Sequence, residues 1–448
     1  MGQPMRPITT LKKQGTVAVM VTLRPAGRRA ARAVGAAPLL PAALAIVPRR
    51  VSVTERRGRM ALPLAHPLTN ARVEVLKGCF LDPVGAPRGA RRAERVGDAV
   101  RYYPNLGILV GTTDARGLAT LERDPGVAAV DLLPVLEPIL PVGPSRRTMV
   151  PMARVTWGIR RLRIERLWAQ GFTGAGICIG HLDSGIDGDH PAFLPDAIAA
   201  FTIFDAFGRE VPGSHSPVDT ATHGTHTAGT LVGRGVDDRH VGVAPGAVVA
   251  SAVVIEGGQV INRVMAGIDW CLGQGSRIIN LSLGVPGRSP ALERLMETLR
   301  SRDMLPVVAV GNEGPGTSRT PGNEPAALSV GAVDRSGGVP GFSSSQTFAR
   351  ADNPFVPDLI APGVQIQSAA AGGGWLVEGG TSMSAPHVSG LAALLWEARP
   401  SATAAEIEAA IRVSCDTTGV DPSRGGGGVP DGPLALEALT GIPAARRR

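Results

Sequence analysis

From about residue 177 the chain alternates short, continuous apolar runs with longer stretches that are apolar on one helical face. Residues 177–182, 250–255, 278–283 and 305–310 are the apolar runs. Runs of that length predict strands buried on both faces. Between them, Ile261, Val264, Met265, Ile268 and Leu272, then Leu292, Leu295, Met296 and Leu299, recur at the spacing of amphipathic helices. Strand and helix in alternation predict an α/β fold, with a mainly parallel sheet between helices.

A further helix is predicted beyond Gly379-Gly380-Thr381-Ser382-Met383-Ser384-Ala385-Pro386-His387-Val388, because Val388, Leu391, Ala392 and Leu395 keep helical spacing. The glycines permit a tight turn, and Pro386 is expected in the first helical turn, where its missing N–H is harmless. Ser382 then reads either as a helix N-cap or as a hydroxyl beside backbone donors that can stabilise an oxyanion. Thr403 to Glu406 has the form of a capping box opening a last helix.

The first third of the chain reads differently. Residues 70–135 contain strand-like 72–76, 106–110 and 127–132 and helix-like 115–123, a small α+β pattern. Residues 1–69 read as a basic arm. Its apolar stretch 34–47 follows Arg28, Arg29 and Arg32, but Pro38 and Pro41 interrupt it and no small-residue cleavage site follows. A cytoplasmic location is therefore favoured over secretion. Residues 136–152 read as a linker, given five prolines between 133 and 152, with Arg146-Arg147 as a processing point or a solvated pair. Residues 442–448 form a basic tail.

Composition adds less. With 448 residues, 44% apolar, and 58 glycines, the chain suits two or three soluble domains. Residues 1–150 carry a net charge of +13 and the remainder −5. That asymmetry fits a basic N-terminal region docking on an acidic body better than a nucleic-acid arm, since no nucleic-acid motif accompanies it. Cys79, Cys178, Cys271 and Cys415 are scattered and read as reduced thiols.

Two upstream motifs change the weight on Ser382. Ile179-Gly180-His181-Leu182-Asp183-Ser184-Gly185 supplies a carboxylate, and His223-Gly224-Thr225-His226-Thr227-Ala228-Gly229-Thr230 an imidazole. The order Asp, His, Ser over residues 150–440 resembles the subtilase family of serine endopeptidases. That resemblance implies a three-layer subtilisin-like catalytic domain over residues 153–441, preceded by a ferredoxin-like inhibitory prodomain. It implies Ser382 as nucleophile, His223 as general base, Asp183 as its orienting acid and Asn312 as an oxyanion donor. Such a protease would be autoprocessed, its own N-terminal region acting as intramolecular inhibitor, and would take polypeptide substrates, with no nucleic acid and no membrane span expected.

The resemblance also implies a substrate-pairing strand at Ser282, Leu283 and Gly284, a facing wall at Ala309, Val310 and Gly311, a charge from Glu313 at the pocket base, and a second strand near Gly257. No cofactor is required and no metal ligands are assigned. Residues 231–242 are short beside relatives that bind calcium there, which leaves structural calcium without a recognisable site. Val285, where relatives carry a second glycine, narrows the expected pocket. His226 follows His223 at a metal-like spacing but lacks a third ligand and reads as structural. The alternatives are a narrow maturation protease and a catalytically silent peptide-binding module.

Overall fold

The structure, a computed structural model, describes residues 7–24, 70–81, 100–149, 153–213, 215–256, 260–350 and 353–441. The chain forms two units, Met1–Leu133 and Pro134–Arg448.

In the first unit, α1 (Pro7–Gln14) leads to β1 (Val17–Leu23). Then come α2 (Asn70–Lys77), β2 (Val100–Tyr103), β3 (Ile108–Thr113), α3 (Ala115–Arg123) and β4 (Val127–Leu132). The antiparallel sheet has the order β2-β3-β1-β4. From β1 to β4 the described elements follow the β-α-β-β-α-β order of a ferredoxin-like unit. The helix α3 starts where the Asp114 carboxylate accepts from the Gly117 amide at 2.8 Å. Residues 1–69, an arm by sequence, thus contain a central strand. Val17, Val19, Val21 and Leu23 enter the core with Leu109, Leu118 and Leu121, and Met20 between them is fully buried as well, a short apolar run set among basic residues. The remainder of residues 1–69 lies outside the described residues, apart from α1 and its flanks.

The second unit opens with two short strands, β5 (Glu137–Pro138) and β6 (Arg146–Thr148). Its main sheet uses β7 (Cys178–Asp183), β8 (Ile198–Ile203), β9 (Val248–Val253), β10 (Ile278–Leu281), β12 (Leu305–Ala309), β14 (Leu328–Val333) and β15 (Leu359–Pro362). Its order is β15-β14-β12-β10-β7-β9-β8, and every neighbouring pair is parallel. Helix α4 (His223–Val232) follows β8, α5 (Val260–Gly273) follows β9, and α6 (Pro290–Ser301) precedes β12. After β15 come the hairpin β16 (Ile366–Ala369) and β17 (Trp375–Glu378), then α7 (Thr381–Ala398), α8 (Ala404–Val413) and α9 (Gly432–Thr440). Short β11 (Leu283–Pro286) and β13 (Arg319–Thr320) pair with each other beside the main sheet.

Alternation along the strands divides the helices between two faces. His181 of β7 meets Thr227 of α4, and its register partner Asn280 meets Ser389 of α7. Gly180, on the opposite face, approaches Cys271 of α5, which a Cβ there would contact at 3.1 Å. The main core includes Ile179, Leu305, Val330, Val388, Leu391, Leu395 and Trp396. Of the four cysteines, all free, only Cys271 is buried. No helix among the described residues is long and apolar enough to cross a membrane.

Trp396 is fully buried, and its indole donates to the Ala402 carbonyl at 2.8 Å. Trp396→Ala is expected to lower stability by about 3–5 kcal/mol, read as a reduced denaturant midpoint.

Candidate active site

Strand β7 ends at Asp183, α4 begins at His223, and Ser382 is the second residue of α7. Three residues far apart in the chain thus reach strand ends and helix starts, where an open α/β sheet exposes polar groups.

The Asp183 carboxylate is fully buried. Its Oδ1 accepts from the Ser184 amide at 2.8 Å and lies 2.7 Å from His223 Nδ1, and its Oδ2 accepts from the Thr227 hydroxyl at 3.2 Å. Burial alone would raise its pKa. The charge and hydrogen bond of His223, the nearby His181 and the Ser184 amide outweigh burial and hold the carboxyl below the ordinary range. Facing an ionised carboxylate, His223 Nδ1 carries the proton, so Nε2 is the basic nitrogen. Burial disfavours the imidazolium here too, but Asp183, then Glu378 and Asp219, raise its pKa above the usual histidine value. Nε2 is buried without a hydrogen-bond partner among the described residues.

The Ser382 hydroxyl, also buried, donates at 2.8 Å to the carbonyl of Ile139, a residue of this unit's own N-terminal stretch. That stretch runs through the cleft as an extended peptide. Its strand β5 pairs antiparallel with β11, Pro138 against Leu283 and Glu137 against Gly284, and the Ile139 amide donates to the Ser282 carbonyl at 3.0 Å. The Asn312 side chain donates from Nδ2 to the Leu140 carbonyl at 2.8 Å. Farther on, the Val142 amide donates to the Gly379 carbonyl, and β6 adds to the edge of β17. The stretch read from sequence as a linker is therefore pinned along the cleft. Its prolines suit an extended path with few amides to satisfy.

Asn312 is aimed by Thr381, whose amide and hydroxyl both donate to its Oδ1 at 3.0 Å. Two glycines make room. Gly380 has φ 150, and a Cβ there would lie 3.1 Å from Asn312 Nδ2; Gly311 has φ 118, and its Cβ would come within 2.7 Å of Glu313 Oε2. Pro386 differs from expectation. The helix starts at Thr381 with Gly380 as N-cap, so Pro386 is its sixth residue and cannot donate to the Ser382 carbonyl. The Ser282 hydroxyl approaches that carbonyl instead, at 3.5 Å.

The wall residues Ala309 and Val310 are buried, ending β12 and following it. Glu313, expected to place a charge at the pocket base, is paired: Arg319 Nε lies 2.7 Å from its Oε1, and Arg319 Nη1 donates to the Gly284 carbonyl at 3.1 Å. Arg319, missed in the sequence, thus links the expected pairing strand at Gly284 to the expected pocket base at Glu313 and also reaches Glu137 at 3.4 Å. Only spatial pairing reveals it, since β13 carries no motif. Gly257 lies outside the described residues.

A profile of the Subtilase family matches residues 174–428. The chain belongs to the subtilase family. Among the proteins similar to this subtilase is Subtilisin amylosacchariticus of Bacillus subtilis subsp. amylosacchariticus, 31% identical over 322 residues, which are 70% of this chain and 77% of that protein. Subtilisin J of Geobacillus stearothermophilus matches with the same identity and coverage. Subtilisin Savinase of Lederbergia lenta is 34% identical over 249 residues, 55% of this chain and 86% of its own. Subtilases are serine endopeptidases, and this subtilase is an enzyme of that class.

Other histidines of the subtilase are fixed structurally. His226 Nε2 faces the Ile366 and Leu376 carbonyls at 3.0 and 3.1 Å, tying α4 to the hairpin, and burial lowers its pKa to about 3. His387 bonds to the Met383 carbonyl, and burial lowers its pKa to about 4. Among the described residues no cluster of His, Cys, Asp and Glu converges to hold a metal.

The raised His223 pKa makes a signed prediction. Its charged form is stabilised by the fold at pH below the unfolded value, and that contribution is lost as pH rises through the folded one. In Asp183→Asn, burial opposes only Glu378 and Asp219, so His223 should titrate lower than in the parent, measured by NMR of its ring protons.

Proposed function

We propose that this subtilase is made as a precursor that cuts its own chain between Ile139 and Leu140, through Ser382, His223 and Asp183. The observation that carries this reading is the path of residues 137–142, a peptide lying in the cleft with the Ile139 carbonyl on the Ser382 hydroxyl. Ser382 Oγ attacks that carbonyl carbon and passes its proton to His223 Nε2. Asp183 holds the Nδ1 proton and stabilises the imidazolium. Asn312 Nδ2 and the Ser382 amide take the oxyanion. His223 then protonates the departing Leu140 nitrogen, and water hydrolyses the acyl-enzyme.

The next bond, between Leu140 and Pro141, is the competitor, because Asn312 contacts the Leu140 carbonyl. Its leaving nitrogen carries a proline ring that crowds the proton His223 must deliver, which favours the earlier bond. Residues 140–148 remain joined to the body after one cut, with β6 on β17. The first unit, with its ferredoxin-like element order, supports the reading of an N-terminal inhibitor.

A narrow maturation specificity has its own support. Arg319, tied to Glu313 and to the Gly284 carbonyl, spans the pocket for the residue preceding the cut, and Val285 is added bulk beside it. A broad pocket with a free acidic base is not on offer. Arg319→Gly is expected to raise kcat/KM about tenfold for peptides with a large aromatic residue at that position relative to isoleucine.

Intact-mass analysis of the full chain tests the processing. Wild type should yield a species beginning at Leu140, while Ser382→Ala stays uncut; processing of both alike would remove the proposal. Asn312→Ala should process about a hundred- to a thousandfold more slowly.

A further inference from the structure

Behind Asp183 lies a line of buried polar groups that the reaction above leaves unused. His181 stands two residues before Asp183 on β7 and points to the same face. Ser251 is its register partner on β9, and Thr227 lies one helical turn after His223 on α4. All three are fully buried. His181 Nδ1 is 2.9 Å from Ser251 Oγ, and its Nε2 is 2.9 Å from Thr227 Oγ1. The Thr227 hydroxyl in turn lies 3.2 Å from Asp183 Oδ2 and 3.1 Å from the Gly224 carbonyl.

Proton counting gives the line a direction. Burial lowers the His181 pKa against the opposing pull of Asp183 and Asp219, with His223 adding to the lowering, so its ring is neutral with one donor and one acceptor. The Asp183 carboxylate can only accept. Both acceptors near Thr227, Asp183 Oδ2 and the Gly224 carbonyl, call for its hydroxyl proton, so its lone pair is left for His181. The Nε2 proton of His181 fills that need, and the bare Nδ1 accepts from Ser251. Reversing the line would leave Thr227 without a donor and press its lone pair on a buried carboxylate, which is costly.

We propose that Ser251, His181 and Thr227 form a one-way hydrogen-bond relay that fixes the Asp183 carboxylate and limits the negative charge it offers His223, making His181 and Thr227 positioning residues. The consequence for turnover rests on the peptidase reading; the consequence for His223 does not.

Groups facing His223 are Asp183 and His181 from β7, Asp219 from the loop before α4, Glu378 from β17 and His226 from α4 itself. A relay variant changes only the two on β7. Removing the Thr227 donor concentrates charge on Asp183 and strengthens its hold on the imidazolium. In the full chain carrying Ser382→Ala, adding Thr227→Val should raise the NMR titration midpoint of His223 by about half a unit to one unit. Thr227→Ser, which keeps the hydroxyl, should restore the parent midpoint. Thr227→Ala carries the same expectation as valine should valine not fold. In active protein the acid limb of kcat/KM should move with the NMR midpoint. An unchanged His223 midpoint in a folded variant lacking the hydroxyl overturns the relay. A wild-type chain that cleaves no peptide overturns the peptidase reading instead and leaves the NMR result standing.

Discussion

A carboxylate taken fully out of water must be met by donors or it gives up its charge. Asp183 is such a group, and the site is built to satisfy it. The strand that carries it ends there, the next amide folds back on it, and α4 presents His223 and Thr227 on one helical face. The ionised carboxylate fixes the tautomer of His223, which leaves Nε2 as a base facing the cleft. Without that buried charge, burial would hold the imidazole neutral and free to take either tautomer.

The second constraint is the peptide lying in the cleft. Backbone pairing on β11, one side-chain amide from Asn312 and strand addition on β17 hold about a dozen residues of the chain against its own catalytic edge. Main-chain pairing of this kind gives affinity that tolerates many sequences, while pockets select among them. Beside this path Arg319 is held by Glu313 and by the Gly284 carbonyl. Occupation by a covalently attached segment needs only loop closure, which favours it over a free peptide of the same sequence.

Much of this was legible in the sequence. The apolar runs gave the parallel strands, because strands buried on both faces carry no polar interruptions, and the motifs around Asp183, His223 and Ser382 gave the family. Less legible were features that depend on partners distant in the chain. Val17 to Leu23 is a short apolar run broken only by Thr22, but a basic neighbourhood disguised it as an arm. Residues 137–142 looked like a linker because proline density reads the same in a free tether and in a pinned extended strand. The pairing of Glu313 went unread because its partner, Arg319, lies on a two-residue strand with no periodicity. His181 and Thr227 lie within the motifs yet gain meaning only when β7 and α4 are side by side. Pro386 was placed one turn too early, since helix caps at glycine carry no side-chain signal.

Covalent labelling of the processed protein with a fluorophosphonate, followed by peptide mass spectrometry, tests the central claim most directly. An alcohol activated by an imidazole on a buried carboxylate predicts one adduct, on Ser382, and none when His223 is replaced by alanine. Folded, processed protein that takes no label, or labels elsewhere with Ser382 untouched, would contradict it.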